Sequence, residues 1–233
     1  TRPNNSSYDN GRAGGSMIIN PSLLNANTYR IKEQLDQLKK GNITHLHIDI
    51  ADGHFVPVMS FGVNTVRDLK KETDLVLDCH MMVEKPEEKI PAIIEAGADI
   101  ITVHAEATAH IYKVMQKIQG AGRKAGVALN PGTPISMIEE ILPFADLILC
   151  MTSNPGMAGE TFINSVTKKI EILNEIRKNK GYRYLIEADG SINEENISFC
   201  RKAGADLIVS GRFIFDGKIE EQLWRLRMAG EAK

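Results

Sequence analysis

The alternation of short apolar segments with amphipathic ones constrains the fold of this chain more than any other feature. From Met17 onward, each apolar run is followed by a polar loop, a helical pattern and then the next apolar run. Strands that alternate with helices are typical of parallel sheets with right-handed crossovers. Eight such runs occur: MIIN (17–20), HLHIDI (45–50), LVLDCH (75–80), IITVH (100–104), AGVALN (125–130), LILCM (147–151), YLIEAD (184–189) and LIVSG (207–211).

The segments between the runs carry the spacing of amphipathic α-helices. Apolar residues recur three or four positions apart in TYRIKEQLDQLKK (28–40), ISMIEEIL (135–142) and NSVTKKIEILNEIRKNKG (164–181). The motif AGAD occurs twice, at 96–99 and 203–206, and each copy precedes an apolar run. Because glycine commonly follows the last residue of a helix, the motif indicates a repeated helix–glycine–strand unit.

Eight such units in about 215 residues predict an α/β fold, a (β/α)8 TIM barrel, whose usual length is about 250 residues. An open doubly wound sheet is the alternative, but the GxGxxG fingerprint that would follow its first strand is missing from the sequence. We therefore expect a single barrel domain over residues 17–233. Residues 1–16, TRPNNSSYDNGRAGGS, lack periodicity and are interpreted as an expression-tag remnant, disordered or extended, with a native disordered arm as the alternative.

Composition and charge narrow the class of protein. The formal net charge is −2 and no run of basic residues stands out, so the sequence does not indicate a nucleic-acid partner. No apolar stretch approaches the roughly 18 residues that cross a bilayer, so no membrane association is expected. The three cysteines are far apart and lie in or beside apolar sequence, which favours buried thiols and a cytoplasmic location. They are Cys79, Cys150 and Cys200.

Polar residues gather where the predicted strands end. In a (β/α)8 barrel the active site lies at the carboxyl ends of the strands. In the second strand, His47 and Asp49 alternate with apolar residues, so the polar pair points into the barrel. Leu46, Ile48 and Ile50 then face the helices. The other strands end near Ser22, His80, His104, Glu106, Asn130, Met151, Asp189 and Ser210.

Four of these residues form a candidate metal site. Burial of a carboxylate costs free energy unless the group is paired or binds a cation. Two imidazoles and two carboxylates suit one divalent transition metal per chain, such as Zn, Fe, Mn or Co. These groups belong to His47, Asp49, His80 and Asp189. A lone histidine on a strand more often has a structural role, and we interpret His45 in this way.

Three glycine-rich segments follow the last three predicted strands. They are NPGMAG (154–159), DGS (189–191) and SGR (210–212). Backbone N–H groups of the loops after the seventh and eighth strands commonly bind phosphate in such barrels. Turn formation alone explains a single glycine loop. Three in consecutive loops indicate a phosphorylated ligand, to which Arg212 can add a charged contact.

With these motifs in place, the chain from Met17 to about Phe215 resembles the ribulose-phosphate 3-epimerase family, which includes ketohexose-phosphate relatives such as D-allulose-6-phosphate 3-epimerases. The matching motifs stand in family order over nearly the whole barrel. They are NPSLLNAN, HIDIADGHFVP, LDCHMM, AGADIITVHAE, KAGVALNPGTP, MTSNPGMAG, EADGSI and SGRFIF. The resemblance implies a barrel of the ribulose-phosphate-binding type and an isomerase of carbohydrate metabolism that forms a homo-oligomer, a dimer or a hexamer.

The resemblance also implies a role for each site residue. The family inverts C3 of a phosphorylated ketose, so D-ribulose 5-phosphate would be converted to D-xylulose 5-phosphate. Asp49 and Asp189 would bind the metal with the two histidines and also act as acid and base on opposite faces of C3, on either side of a metal-stabilised enediolate. The implied substrate contacts are Ser22, Met82, Asn130 and Met151. The implied phosphate-binding residues are Gly156, Gly159, Gly190, Ser191, Gly211 and Arg212.

Several residues depart from the family pattern. Ala51 stands where pentulose-phosphate enzymes usually carry Met, which changes the space beside the sugar. The other departures are Asn20, where the family usually has Ala, and Met157, Ser191 and Arg212. The substrate is therefore left open between D-ribulose 5-phosphate and D-allulose 6-phosphate.

Two other functions compete with an epimerase. Decarboxylases and aldolases of the related orotidine-phosphate group use a DxKxxD strand motif, and the corresponding stretch here, DIAD (49–52), has no lysine. A non-catalytic phosphosugar-binding barrel would not need the pair Asp49 and Asp189. The first alternative is therefore disfavoured, whereas the changed residues of the phosphate-binding loops leave the second open.

Overall fold

A computed structural model of the chain describes residues 17–157 and 159–231. Residues 1–16, for which a tag remnant is predicted, lie outside the described residues. Eight strands form one sheet in which all paired neighbours are parallel. The strands are β1 (Ile18–Pro21), β2 (His45–Ala51), β3 (Val76–Met82), β4 (Ile100–His104), β5 (Lys124–Leu129), β6 (Leu147–Met151), β7 (Leu185–Asp189) and β8 (Leu207–Ser210).

The sheet closes into a barrel. Its strand order is β1-β8-β7-β6-β5-β4-β3-β2, and the two ends meet where Ser22 forms a parallel bridge with His47. Each predicted apolar run coincides with a strand, so the predicted (β/α)8 barrel is confirmed. The α-helices are α1 (Ile31–Lys40), α2 (Val63–Glu72), α3 (Pro86–Ala96), α4 (Ile111–Gly120), α5 (Val166–Lys180), α6 (Ile197–Ala203), α7 (Arg212–Phe215) and α8 (Ile219–Glu231).

The segment 135–142 differs from its prediction. In place of one α-helix it forms two 3-10 segments, Ile135–Met137 and Glu139–Phe144. Pro143 lies within the second segment, and proline has no backbone N–H to continue an α-helical hydrogen-bond ladder. Ile138 and Leu142 are nevertheless buried. The apolar spacing therefore located the buried face correctly but predicted the wrong helix type.

The two AGAD motifs end a helix and fix the strand that follows. Gly97 and Gly204 stand just after α3 and α6 with φ of 102° and 111°, a left-handed conformation that favours glycine. Two residues later, Asp206 accepts a hydrogen bond from the backbone N–H of Ile186 at 2.8 Å. The motif thus ties the start of β8 to the neighbouring strand β7.

The barrel interior is apolar at its amino-terminal end and polar towards the other end. Ile100, Leu147 and Leu207 pack together inside the amino-terminal half. Outside the barrel, the apolar face of β2 packs in the main core with α2 residues such as Val66, as the alternation predicted. The polar inward positions above the apolar layer are Asn20, His47, Asp49, Asp78, His80, Thr102, His104, Glu187 and Asp189.

The cysteines are free and buried, as predicted from their apolar surroundings. Burial raises the pKa of Cys150 and of Cys200 to about 12, so both remain thiols at neutral pH. None of the helices in the described part of the chain combines the length and the apolar character that a bilayer-spanning segment requires.

Candidate active site

The carboxyl end of the barrel holds a buried group of two histidines and two aspartates, which we call the His–Asp cluster (His47, Asp49, His80 and Asp189). The alternation of β2 puts His47 and Asp49 on one inward face, and the register with β3 sets Asp49 beside His80. Asp189 is the last residue of β7. One donor atom from each of the four lies within 4.8 Å of the other three. The structure thus brings together all four predicted ligands.

The spacing of these donor atoms fits a metal ion. His47 Nε2 and His80 Nδ1 are 3.3 Å apart. Asp49 Oδ1 lies 3.7 Å from the first nitrogen and 3.4 Å from the second, and Asp189 Oδ2 lies 3.6 and 3.4 Å from the same atoms. Tetrahedral coordination at about 2.0–2.1 Å places donor atoms about 3.3–3.4 Å apart. The cluster therefore suits a divalent transition metal in both chemistry and geometry.

The nitrogen of His47 that faces away from the cluster is also held in place. His47 Nδ1 lies 2.9 Å from Asp78 Oδ2. The side-chain amide of Asn20 donates to the same Asp78 oxygen at 2.8 Å and to Glu187 Oε1 at 2.9 Å. A carboxylate behind a ligating histidine sets its tautomer and orientation. Sequence analysis missed Asp78 and Glu187, although each lies two residues before a predicted ligand and so shares its strand face.

Asp78 and Glu187 differ in charge. Burial and the charge of Asp78 raise the pKa of Glu187 well above its usual value. Burial also opposes ionisation of Asp78, but the charge of His47 and its hydrogen bond outweigh this and lower the pKa of Asp78. Asp78 is therefore the ionised member of the pair and Glu187 the protonated one, which leaves a single negative charge beside His47.

A second chain of hydrogen bonds leads away from His80. His80 Nε2 lies 2.8 Å from Nε2 of His104, at the end of β4. His104 Nδ1 in turn lies 3.2 Å from Glu106 Oε2. Glu106 Oε1 accepts a hydrogen bond from the backbone N–H of Asn130 at 2.8 Å and another from the hydroxyl of Thr133. Sequence analysis placed His104 and Glu106 at a strand end but gave them no role.

The charge states along this second chain are also set by its surroundings. Burial lowers the pKa of His104 to about 4, so its ring is neutral at neutral pH. Burial alone would raise the pKa of Glu106, but hydrogen bonds from His104 and Thr133 lower it to about 2. The chain therefore ends in a carboxylate.

The negative charge of Asp49 and Asp189 in the His–Asp cluster can be balanced either by protonated histidines or by a bound cation. Burial alone would lower the pKa of His47, but the charges of Asp49 and Asp78 raise it well above its usual value. Burial likewise opposes protonation of His80, yet hydrogen bonds to Asp189 and Asp49 raise its pKa. The pKa of Asp189 is lowered because hydrogen bonds from both histidines outweigh the effect of burial. A metal ion that binds here must therefore displace protons.

The predicted substrate-contacting residues lie, like the cluster, at the carboxyl ends of strands. Ser22 donates a hydrogen bond to Asp49 Oδ2 at 2.6 Å and so holds the oxygen that does not face the histidines. Met82 and Met151 are buried at the ends of β3 and β6. Asn130 follows β5, and its side-chain Oδ1 is buried without a hydrogen-bond partner among the described residues. Such an atom is available to a ligand.

The segment after β2 forms a wall of the site. Asp52 Oδ1 accepts a hydrogen bond from the backbone N–H of Phe55 at 3.2 Å, which turns the chain. The ring of Phe55 packs against the ring of His104, with 4.8 Å between their centroids. Phe55 also packs on a small apolar cluster of Ala51, Val56 and Met82. The wall therefore contains Ala51, the residue least like the family pattern in β2.

The glycine-rich loops after β6 and β7 lie against this wall and against each other. Gly156 has φ of +66°, and a Cβ there would lie 2.5 Å from Cβ of Val56. Gly190 has φ of +127°, and a Cβ there would lie 2.5 Å from the backbone nitrogen of Ser153. Ser191 donates a hydrogen bond to the carbonyl of Glu160 at 2.7 Å. Glycine is therefore required at both positions for conformation and for space.

The remaining predicted phosphate-binding residues lie in the loops after β6 and β8. Gly159 has φ of +79°, and a Cβ there would meet none of the described residues within 4 Å. Gly211 precedes the short helix α7, and Arg212 is its first residue. The side chain of Arg212 is exposed, with no hydrogen bond or ion pair among the described residues. Its guanidinium is therefore free to bind an anion.

Fold and site together define a (β/α)8-barrel enzyme with paired carboxylates and candidate metal ligands in its mouth. Residues 18–215 match the sequence profile described as the Ribulose-phosphate 3 epimerase family. The chain belongs to this family. It is therefore an isomerase, an epimerase that acts on carbohydrate phosphates.

Curated proteins with similar sequences carry the name of this family. The ribulose-phosphate 3-epimerase of Bacillus subtilis is 42% identical over 198 residues, which cover 84% of this chain and 91% of that protein. The ribulose-phosphate 3-epimerase of Aquifex aeolicus is 42% identical over 211 residues, or 90% of this chain and 95% of that protein. The chloroplastic ribulose-5-phosphate-3-epimerase of Arabidopsis thaliana is 41% identical over 87% of this chain and 73% of its own length.

Solved structures with the same fold are more distant in sequence. A 3-hexulose-6-phosphate synthase superposes with a TM-score of 0.69 at 17% identity and covers 91% of this chain and 99% of its own. The 3-keto-L-gulonate-6-phosphate decarboxylase of Vibrio cholerae gives a TM-score of 0.68 at 16% identity over 93% of this chain and 97% of its own. At these identities the likeness shows the barrel fold alone.

Proposed function

We propose that this protein is a metal-dependent 3-epimerase that interconverts D-ribulose 5-phosphate and D-xylulose 5-phosphate, with Asp49 and Asp189 as its two acid–base groups. The observation that carries the proposal is the convergence of these two carboxylates, from β2 and β7, on the same pair of buried histidines. The names of the similar curated proteins support the choice of substrate.

Inversion at C3 requires proton transfer on both faces of the carbon. Asp49 and Asp189 each lie 3.4 Å from His80 Nδ1 but project from different strands, β2 and β7, and we assign one carboxylate to each face of a sugar bound over the cluster. One aspartate takes the C3 proton and the other delivers a proton to the opposite face. In the reverse reaction the two exchange roles. The hydrogen bond from Ser22 holds the Asp49 carboxylate in a fixed orientation for this transfer.

The His–Asp cluster would hold the divalent metal, with Zn, Fe, Mn and Co as candidates. When bound, such an ion supplies a Lewis acid for the C2 oxygen and the C3 hydroxyl and thereby stabilises the negative charge of the enediolate. The chain itself keeps Asp189 ionised through the hydrogen bonds that lower its pKa. Phe55 packs on the ring of His104, which contacts His80 of the cluster, and on Ala51, Val56 and Met82.

The substrate phosphate is proposed to bind the glycine-rich loops. Loops after β6 and β7 contact each other through Gly190 and Ser191, and the loop after β8 adds the exposed guanidinium of Arg212. Backbone N–H groups and an arginine together are suited to a phosphate dianion. The implied residues are Gly156, Gly159, Gly190, Ser191, Gly211 and Arg212, and Asn130 and the methionines would contact the sugar.

D-Allulose 6-phosphate is the second candidate substrate, and Ala51 favours it. Ala51 is buried in the wall beside Val56 and Met82, where a methyl group leaves more room than the Met that pentulose-phosphate enzymes usually carry. One further CHOH unit would need such room.

The test is an Asp189→Asn variant assayed with both sugars. The amide keeps the size of the side chain but cannot transfer the proton, so we expect turnover to fall by about 10³-fold or more while calorimetric binding of the sugar phosphate persists. Arg212→Ala is the matched contrast, since loss of a phosphate contact should raise KM and leave turnover at saturation unchanged. An Asp189→Asn variant with wild-type turnover would contradict the proposed mechanism.

The metal identity, the homo-oligomeric state, the cytoplasmic location and the interpretation of residues 1–16 stay predictions. Metal analysis of the purified protein addresses the first, and light scattering addresses the second.

A further inference from the structure

Two side chains outside the His–Asp cluster are joined to it through His80. His104 is fully buried behind His80, and Glu106 lies behind His104 with one-fifth of its side chain exposed. The contacts run His80 Nε2 to His104 Nε2 at 2.8 Å, and His104 Nδ1 to Glu106 Oε2 at 3.2 Å. No step of the proposed epimerisation uses either residue.

The hydrogen bonds in this chain can point in one direction only. Glu106 is a carboxylate, so its Oε2 accepts and the proton of His104 lies on Nδ1. A neutral imidazole carries one N–H, so His104 Nε2 presents a lone pair to His80. His80 must then donate from Nε2, so in the neutral ring the lone pair lies on Nδ1, the nitrogen that faces Asp49 and Asp189.

We propose that His104 and Glu106 are positioning residues that fix the proton of His80 on Nε2 and thereby present Nδ1 to the metal ion. The inference rests on the proposed metal-dependent function and adds residues to it. His104 would then orient His80 as Asp78 orients His47. Each histidine directs one nitrogen into the cluster and forms a hydrogen bond through the other.

Replacement of one carboxylate oxygen of Glu106 by an NH₂ group should reverse the direction of the hydrogen bonds from Glu106 through His104 to His80. In Glu106→Gln the amide oxygen must stay at the Oε1 position, because the backbone N–H of Asn130 and the hydroxyl of Thr133 point there. The new NH₂ group then faces His104 Nδ1 and donates to it. The proton of His104 moves to Nε2, and His80 can only accept there, so its own proton lies on Nδ1 where the metal would bind.

The experiment measures metal affinity and tautomer in the full-length protein, not activity. Competition with a chelator gives the affinity for Zn²⁺ alone, and we expect Glu106→Gln to weaken it about 10- to 100-fold. Long-range proton–nitrogen NMR of the metal-free protein, at a pH where the ring is neutral, reports the tautomer of His80. We expect protonated Nε2 in the wild type and protonated Nδ1 in Glu106→Gln.

Two further variants serve as controls. Thr133→Val removes one hydrogen bond to Glu106 but keeps its carboxylate, so metal affinity and tautomer should stay close to those of the wild type. His104→Gln can still accept from His80 and donate to Glu106, so it should retain most of the affinity that Glu106→Gln loses. If Glu106→Gln fails to fold, the metal affinity of His104→Gln and the tautomer of His80 in the wild type still test the inference.

A neutral His80 ring with its proton on Nδ1 in the wild type, or wild-type affinity and tautomer in a folded Glu106→Gln protein, would overturn the inference. Failure of the wild type to bind Zn²⁺ would instead count against the proposed metal dependence. The tautomers in the metal-free proteins would still test the roles of His104 and Glu106.

Discussion

At the scale of single residues, one proton on Glu187 prevents two negative charges from lying side by side beneath His47. Asn20 stabilises this arrangement, because its amide donates to both Asp78 and Glu187. Asn20 is also one of the positions that depart from the family pattern, where alanine is usual. This chain therefore carries a hydrogen-bond donor under the cluster that an alanine would not supply.

Substitution of the two carboxyl groups should separate their roles. Glu187→Gln keeps the shape of the protonated acid but cannot ionise, so its free energy of unfolding should be close to that of the wild type near pH 4 and higher than it at pH 7. Asp78→Asn removes the anion that is hydrogen-bonded to His47 Nδ1 and should cost about 3 kcal/mol. Urea unfolding of the wild type and both variants provides the comparison.

The same pair has a defined pH dependence. A carboxyl whose pKa is raised on folding contributes stability that is present below its unfolded pKa, about 4.5, and is lost as pH rises through the folded value. Glu187→Gln has no such group. Its stability relative to the wild type should therefore increase from pH 5 to pH 9. A Glu187→Gln protein as unstable as Asp78→Asn at pH 7 would show that the proton does not reside on Glu187.

At the scale of secondary-structure elements, the glycine that ends α6 is required for two separate reasons. Gly204 has φ of +111°, and a Cβ there would lie 2.3 Å from Cγ of Asn174. Gly181 ends α5 with φ of +69°, but a Cβ there would meet none of the described residues within 4 Å. The two helix ends therefore differ in packing while they share a left-handed backbone.

Alanine at each of these glycines should separate backbone strain from packing. Gly181→Ala should lower the free energy of unfolding by about 1 kcal/mol, since only the left-handed conformation is penalised. Gly204→Ala should cost about 3 kcal/mol because Asn174 must also move. Thermal and urea unfolding give both values. Equal losses at the two sites would contradict the close contact with Asn174.

Local patterns predicted the strands, the apolar face of β2 and the four residues of the His–Asp cluster, because alternation and strand-end position are both visible in short stretches. They did not predict the 3-10 geometry of 135–142, where proline overrides apolar spacing. They also did not reveal the pairing of Asp78 with Glu187. That contact depends on which strands face each other across the barrel, and no single stretch specifies it.

At the scale of the whole molecule, barrel closure is what creates the site. Asp49 lies in β2 and Asp189 in β7, far apart in the sequence. They come together because β1 pairs with β8 on one side and is bridged to β2 on the other, which closes the barrel. The two carboxylates then share the histidines of β2 and β3. The central claim is that these two groups invert C3 by proton transfer from opposite faces.

Isotope exchange at C3 tests this claim most directly. The sugar phosphate that the protein converts, D-ribulose 5-phosphate or D-allulose 6-phosphate, is incubated in D₂O and both epimers are analysed by NMR at low conversion. With two separate carboxylates, we expect deuterium at C3 of the product while the remaining substrate still carries mostly protium. A product that retains the substrate's own hydrogen, or absence of exchange with either sugar, would contradict it.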